Sequence, residues 1–213
     1  MIQLLSQGHY ALFAIIVIAL VISLSFHEFG HALLAKLFGD DTAERAGRLT
    51  LNPFAHVDAF GLMMVVLVGF GYAKPVPTDP RNFRSRWASL WVSAAGPLMN
   101  LLLAIVALNF FTFAVGAGWE YFAGVGPRTF FLYLARINLL LMVFNLIPLG
   151  ALDGHYILPY FLSRRAAMAY VDFNARYGNM ALMGLVLLSL VGIPVFAIVW
   201  RISDALLPLI AFL

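Results

Sequence analysis

The 213-residue chain is 63% hydrophobic and only 11% charged, with a mean hydropathy of +0.93; soluble domains carry about 25% charged residues. That balance excludes an ordinary water-soluble domain, and the length suits one membrane-embedded domain covering 1–213. A net charge of +3, dispersed in loops, gives no nucleic-acid surface, and the lack of cysteine removes disulfides and thiolate metal ligands without fixing a redox compartment. No Lys or Arg precedes the first apolar run, so a removable signal peptide is not expected there.

The first apolar segment runs from about Tyr10 to Phe38, longer than a hydrocarbon core of about 30 Å requires at about 1.5 Å per helical residue. Gly39-Asp40-Asp41 ends it and a polar stretch reaches Asp58. Phe60–Tyr72 is strongly apolar but only about thirteen residues long, so a re-entrant or tilted segment accounts for it at least as well as a crossing. Pro and Gly between Gly71 and Arg86 break any helix there. Further spans are expected at about Trp87–Val115 and Thr129–Leu149, the latter closed by Pro148. After an arginine-bearing stretch come two shorter or interrupted apolar runs, Met180–Val191 and Pro194–Leu213. The expected fold is an all-α polytopic membrane protein with about five transmembrane helices, a re-entrant or short sixth segment, and a small extended loop or hairpin near the active site. Its core covers about 10–155 and its accessory segments about 177–213.

Inside the first span lies His27-Glu28-Phe29-Gly30-His31. Residues i and i+4 share a helix face, so both imidazoles can reach one metal ion while Glu28 acts on a metal-bound water. A chance match or a polar patch lining a bundle would also produce the string, but three ionisable groups in five residues are expensive in lipid, which weighs against both.

Loop charges set the orientation. With Phe60–Tyr72 re-entrant, Arg45, Arg48, Lys74, Arg81, Arg84, Arg86, Arg164, Arg165 and Arg176 share one side, and only Arg128 lies in the loop opposite. The positive-inside rule places the basic side in the cytoplasm and the N-terminus outside. The first and third long segments then run parallel, and Asp153, just beyond the third, arrives on the side of the two histidines. Two His and one carboxylate are a known three-ligand zinc set that leaves a position open. Taken alone, Asp153 before Gly reads as a turn signal and Asn145 as interhelical glue.

Three motifs, HEFGH, Ala95-Gly96-Pro97-Leu98-Met99-Asn100 and the NLIPLGALDG string from Asn145 to Gly154, together resemble the site-2 protease family of intramembrane zinc metalloproteases. They fall in family order over about three-fifths of the chain. Leu49–Pro53, His56-Val57-Asp58 and Gly71–Pro77 resemble its compact bacterial branch, which lacks PDZ and CBS domains. The resemblance implies one Zn²⁺ per chain held by His27, His31 and Asp153, with Glu28 activating water and Asn145 contacting the substrate peptide. It further implies single-span membrane substrates, an anti-sigma factor or another trimmed regulator among them, and a bacterial inner-membrane location with the active site toward the cytoplasm. His155 departs from the family, where a second Gly is frequent, and offers a hydrogen-bond partner for a ligand or an alternative ligand. His56 reads as an ordinary loop histidine, and Gly30 and Gly96 as helix-packing residues.

One inference is independent of the family. Pro75 and Pro77 lack N–H groups on the same side of an extended segment, so Lys74, Val76 and Thr78 could pair an opposite edge with an unwound substrate strand. A stiff polyproline-like loop fits the same spacing equally well. Two other functions compete with proteolysis: a membrane zinc transporter, against which stands the lack of a His-rich loop or of ligands along a path, and a catalytically silent relative, against which stands the intact Glu28. No feature sets an oligomeric state.

Overall fold

The computed structural model describes residues 1–68, 71 and 73–213. Three of its helices are long and apolar enough to cross a membrane: α1 (Tyr10–Leu37), α3 (Ala88–Gly116) and α4 (Val125–Asn145). Between the first two lies the ten-residue α2 (Ala59–Val68), too short to span at about 1.5 Å per residue. The sequence-defined segment Phe60–Tyr72 extends past it into 69, 70 and 72, outside the described residues. After α4 come α5 (Arg164–Phe173), a π-helical turn Asn174–Gly178, α6 (Asn179–Leu190) and α7 (Ala197–Leu206). No strand occurs among the described residues. Of about five spans expected, three reach spanning length; α6 has 12 residues and α7 has 10, because Gly192, Ile193 and Pro194 divide the apolar stretch they come from.

Contacts fix how the three long helices pack. Ala19 of α1 packs with Ala107 of α3 and Leu134 of α4. Four residues on, Ser23 meets Asn100 and Asn138. At the next turns His27 meets Asn100 and His31 meets Val92. Numbers rising along α1 thus pair with rising numbers on α4 and falling ones on α3, so α1 and α4 run parallel and α3 antiparallel between them. A second cluster joins Ala104 and Leu108 of α3 to Ala135, Leu139 and Met142 of α4, with Ile210 beneath.

The packing is the reverse of a soluble bundle. The buried residues of α1 and α3 are mostly small or polar, among them Ala19, Ser23, Ala32, Ala35, Ala95, Gly96, Asn100 and Ala104, the class that lets membrane helices approach closely. Large apolar side chains point outward instead, including Ile18, Leu98, Leu102, Val106 and Phe113. In the most apolar stretch of each helix no more than a third of the residues are buried, leaving a wide apolar surface that lipid would cover.

Candidate metal centre

His27 and His31 lie one turn apart on α1, and in the neighbourhood of Nε2 of each stands Asp153, carried by the turn that follows α4. His27 Nε2 is 3.2 Å from Asp153 Oδ2, His31 Nε2 is 3.3 Å from Asp153 Oδ1, and the two Nε2 atoms are 3.1 Å apart. Among the described residues these three form the group of His and acidic side chains close enough to share a metal ion. Tetrahedral bonds of about 2.0–2.1 Å place neighbouring ligand atoms about 3.3 Å apart, so the spacing suits zinc. Two further observations fit a cation. His31 Nδ1 lies 2.7 Å from the Val92 carbonyl, which can only accept, so in the neutral ring Nε2 presents its lone pair to the cluster. Asp153 Oδ2 is buried without a hydrogen-bond partner, a costly state that a metal relieves.

The turn that delivers Asp153 is held from two sides. Gly150 adopts φ +62°, a left-handed conformation that L side chains resist. The Asn174 side chain accepts from Gly150 N–H at 2.9 Å and donates to its carbonyl at 3.1 Å, doing for the turn what a paired strand would. Asn174 sits in the π-helical turn, where one extra residue per turn redirects side chains.

Gly96 of α3 faces the cluster directly. A Cβ there would lie 2.3 Å from His31 Nε2 and 2.7 Å from His27 Nε2. Its lack of a side chain therefore keeps space beside the ligand atoms, a tighter requirement than the helix packing expected from sequence. Gly30 does serve packing, since its added Cβ would meet Met99 Cγ and the Ala95 carbonyl.

Glu28 is buried on the next position of α1, and its Oε2 accepts a 3.1 Å hydrogen bond from Val76 N–H. Lys74 N–H donates to the His56 carbonyl at 2.8 Å. Two of the three donors on the edge that the sequence offered to substrate, those of Lys74 and Val76, are thus engaged within the chain in this structure. Arg48 fastens the same segment by donating to the Lys74 and Pro75 carbonyls. Burial lowers the proton affinity of the Arg48 guanidinium, and the Glu28 carboxylate acts in the opposite direction. Residues 73–79 form neither helix nor strand ladder.

The other candidates stand apart from the cluster. Asn145, in the last turn of α4, donates back to the Leu141 carbonyl at 2.9 Å. His56 is fully buried and its Nε2 pairs with the Thr50 carbonyl at 2.7 Å, so it shapes the loop under Lys74. His155 Nδ1 lies 3.2 Å from the Tyr170 hydroxyl, which donates to the Pro148 carbonyl; burial pushes its pKa down. Sequence reasoning gave no role to Asn100, quoted only within a motif, or to Asn138; both are completely buried, Asn100 against His27 and Asn138 against Asn100. Their signal was available: an amide in the middle of an apolar span is expensive and marks a site or an interface.

Comparison with known proteins agrees with this geometry. The model of Peptidase family M50 matches residues 15–126 and 117–190. The chain is 43% identical over 146 residues to "Putative zinc metalloprotease YwhC" of Bacillus subtilis, covering 67% of each protein. It is 30% identical over 162 residues to "Putative zinc metalloprotease Rip2" of Mycolicibacterium smegmatis, covering 70% of this chain and 57% of that one. Against the Rip2 of Mycobacterium tuberculosis H37Rv it is 33% identical over 157 residues, with the same coverage. The chain therefore spans little more than half the length of the Rip2 proteins. No solved structure matches it. With the family model spread over most of the chain, and over all three elements that build the candidate metal centre, the chain belongs to Peptidase family M50, the site-2 protease family, and is a membrane metalloprotease.

Proposed function

We propose that the chain is a zinc-dependent intramembrane endopeptidase that cleaves single-span membrane proteins, with His27, His31 and Asp153 holding one zinc ion and Glu28 as the catalytic base. The observation that carries this reading is the convergence of two imidazole Nε2 atoms 3.1 Å apart, each with one carboxylate oxygen of Asp153 at 3.2 or 3.3 Å, one residue from a buried glutamate and at the end of packed apolar helices. Zinc bound there supplies a Lewis acid that polarises the scissile carbonyl and makes water easier to deprotonate. Glu28 takes a proton from the attacking water and passes it to the leaving amine, general base and then general acid. Val76 N–H occupies Oε2, which orients the carboxylate and leaves Oε1 to carry that proton. Asn145 would donate to the substrate backbone by exchanging its bond to the Leu141 carbonyl for one to the peptide. The Lys74–Val76 segment lies against Glu28, so an unwound substrate strand that reaches the base must run beside it. Basic loops on one side support a cytoplasmic active site in a bacterial inner membrane.

The test is zinc content and cleavage measured on the same samples. Wild type should hold about one zinc per chain, Asp153→Ala should lose most of it, and Glu28→Gln should keep zinc but not cleave a membrane-embedded substrate. Full zinc retention in Asp153→Ala removes that ligand, and substantial cleavage by Glu28→Gln refutes the base. Zinc uptake into vesicles without proteolysis would instead favour a transporter.

A further inference from the structure

Asn100 and Asn138 form an unbroken hydrogen-bond chain to His27. The Asn100 Oδ1 lies 2.7 Å from His27 Nδ1, and its Nδ2 donates to the Ser23 carbonyl at 3.1 Å and to Asn138 Oδ1 at 2.8 Å. Asn138 Nδ2 in turn donates to the Leu134 carbonyl and to Ser23 Oγ, each at 2.8 Å. Ser23 Oγ donates to the Ala19 carbonyl at 2.6 Å. Ser23, Asn100 and Asn138 have no exposed surface, so water cannot substitute for any partner.

The direction of this chain is not free. A backbone carbonyl only accepts, and each link ends on one: Asn100 at Ser23 O, Asn138 at Leu134 O, Ser23 at Ala19 O. Flipping either amide would set an oxygen against a carbonyl oxygen in a dry interior, a costly arrangement. Asn100 must therefore show its oxygen to His27, and His27 must carry its ring hydrogen on Nδ1. Its Nε2 then presents a lone pair toward Asp153 and His31.

We infer that Asn100 and Asn138 are positioning residues that lock His27 in the Nδ1–H tautomer and so preset its Nε2 as a metal ligand. The inference rests on the proposed zinc site. It assigns to two mid-membrane amides the task that outer-shell carboxylates and carbonyls perform for other metal-bound histidines. Val92 O does the same for His31. One helix thus supplies the outer partners of both histidines, at positions 92 and 100 of α3, with Gly96 between them making room for the ring nitrogens. Asn138 extends the tether to α4, the helix that leads to Asp153, so the polar thread that holds His27 joins all three long helices.

The experiment uses the full chain in detergent and reads zinc affinity by chelator competition, with ¹⁵N shifts of the histidine rings in the zinc-free protein. Asn100→Leu should weaken zinc by about 10–100-fold, the usual cost of losing an outer-shell partner, and should let the Nε2–H tautomer of His27 appear. Asn100→Gln keeps both an acceptor for Nδ1–H and a donor for the Ser23 carbonyl and should lose less zinc affinity than Asn100→Leu. Asn138→Leu, which leaves Asn100 tethered only to Ser23 O, should lie between the two and decides the matter if Asn100→Leu does not fold. Unchanged zinc affinity in the folded leucine variants overturns the inference, as does a His27 that keeps only its Nδ1–H tautomer in folded Asn100→Leu. A wild-type chain that binds no zinc would refute the proposed function instead, which keeps the two failures apart.

Discussion

Replacing Gly96 with alanine adds one methyl group at the centre of the proposed site. The new Cβ would stand 2.3 Å from His31 Nε2, 2.5 Å from His27 Cε1 and 2.7 Å from His27 Nε2. Ordinary contact begins near 3.4 Å, so His31 would have to withdraw by about 1 Å and His27 by somewhat less. Metal–ligand distances tolerate only about 0.2 Å, and neither ring can swing away without breaking its 2.7 Å bond to Val92 O or Asn100 Oδ1. If α3 backs off instead, the same two bonds stretch. We expect zinc affinity to fall at least about 100-fold, beyond the loss from altering one outer-shell partner, and cleavage to vanish with it. The assay is zinc content and chelator competition, with helicity and monodispersity as checks of the fold. Alanine has higher helix propensity than glycine, so loss of zinc from a folded variant cannot be put down to a weaker helix. Gly184→Ala, on α6 with open space around the new Cβ, is the control and should keep its zinc. Wild-type zinc affinity in Gly96→Ala would mean that the two Nε2 atoms do not hold the metal.

Val76→Pro deletes the donor to Glu28 and leaves the histidines untouched; membrane-substrate cleavage should slow about two- to tenfold, given about 0.5–1.5 kcal/mol per hydrogen bond, with zinc retained, whereas unchanged turnover would favour a passive stiff loop. Asp40 is completely buried just past α1; burial alone would raise its pKa, but donors from Thr42, Asn82 and the Asp79 backbone outweigh that and hold it below the usual value. A depressed folded pKa contributes stability above the unfolded value of about 3.9 that is lost as pH falls through the folded one. Asp40→Asn should therefore flatten acid unfolding below about pH 4, and an unaltered acid limb would remove Asp40 from that role. Single cysteines at Arg84 and Arg164 should label from the cytoplasm and one at Gly118 from outside; opposite labelling of the first two would mean that the segment after Asp58 crosses fully.

How much of this was legible in the chain depends on the range of the interaction. His27 and His31 share a face because a helix repeats every 3.6 residues, and that needs no tertiary information. Asp153 needed one topological step, parallel α1 and α4, which loop charges supplied and the Ser23–Asn138 contact agrees with. The function of Gly96 was hidden for a steric reason: a missing side chain has no chemistry to read, and only the facing Nε2 atoms show what the gap is for. At Lys74 and Val76 the proline spacing fits a pairing edge and a stiff loop equally, because spacing cannot tell which neighbour takes the N–H groups. The neighbours are His56 O and Glu28, brought there by Arg48, whose place beside residues 26 and 27 positions away in sequence no local pattern encodes.

The polar residues of the apolar helices make a sharper case. Asn100 was quoted as part of a motif and Asn138 passed over, although in a bilayer each stands for a cost of several kcal/mol unless partnered. Tracing where their hydrogen bonds end leads from Ala19 O and Leu134 O through two amides to one imidazole nitrogen. A soluble protein could offer such amides water, and their orientation would then be a matter of preference. Here the dry interior leaves a single consistent direction for every donor, so the solvent that makes these side chains expensive also decides which nitrogen of His27 is free to bind metal.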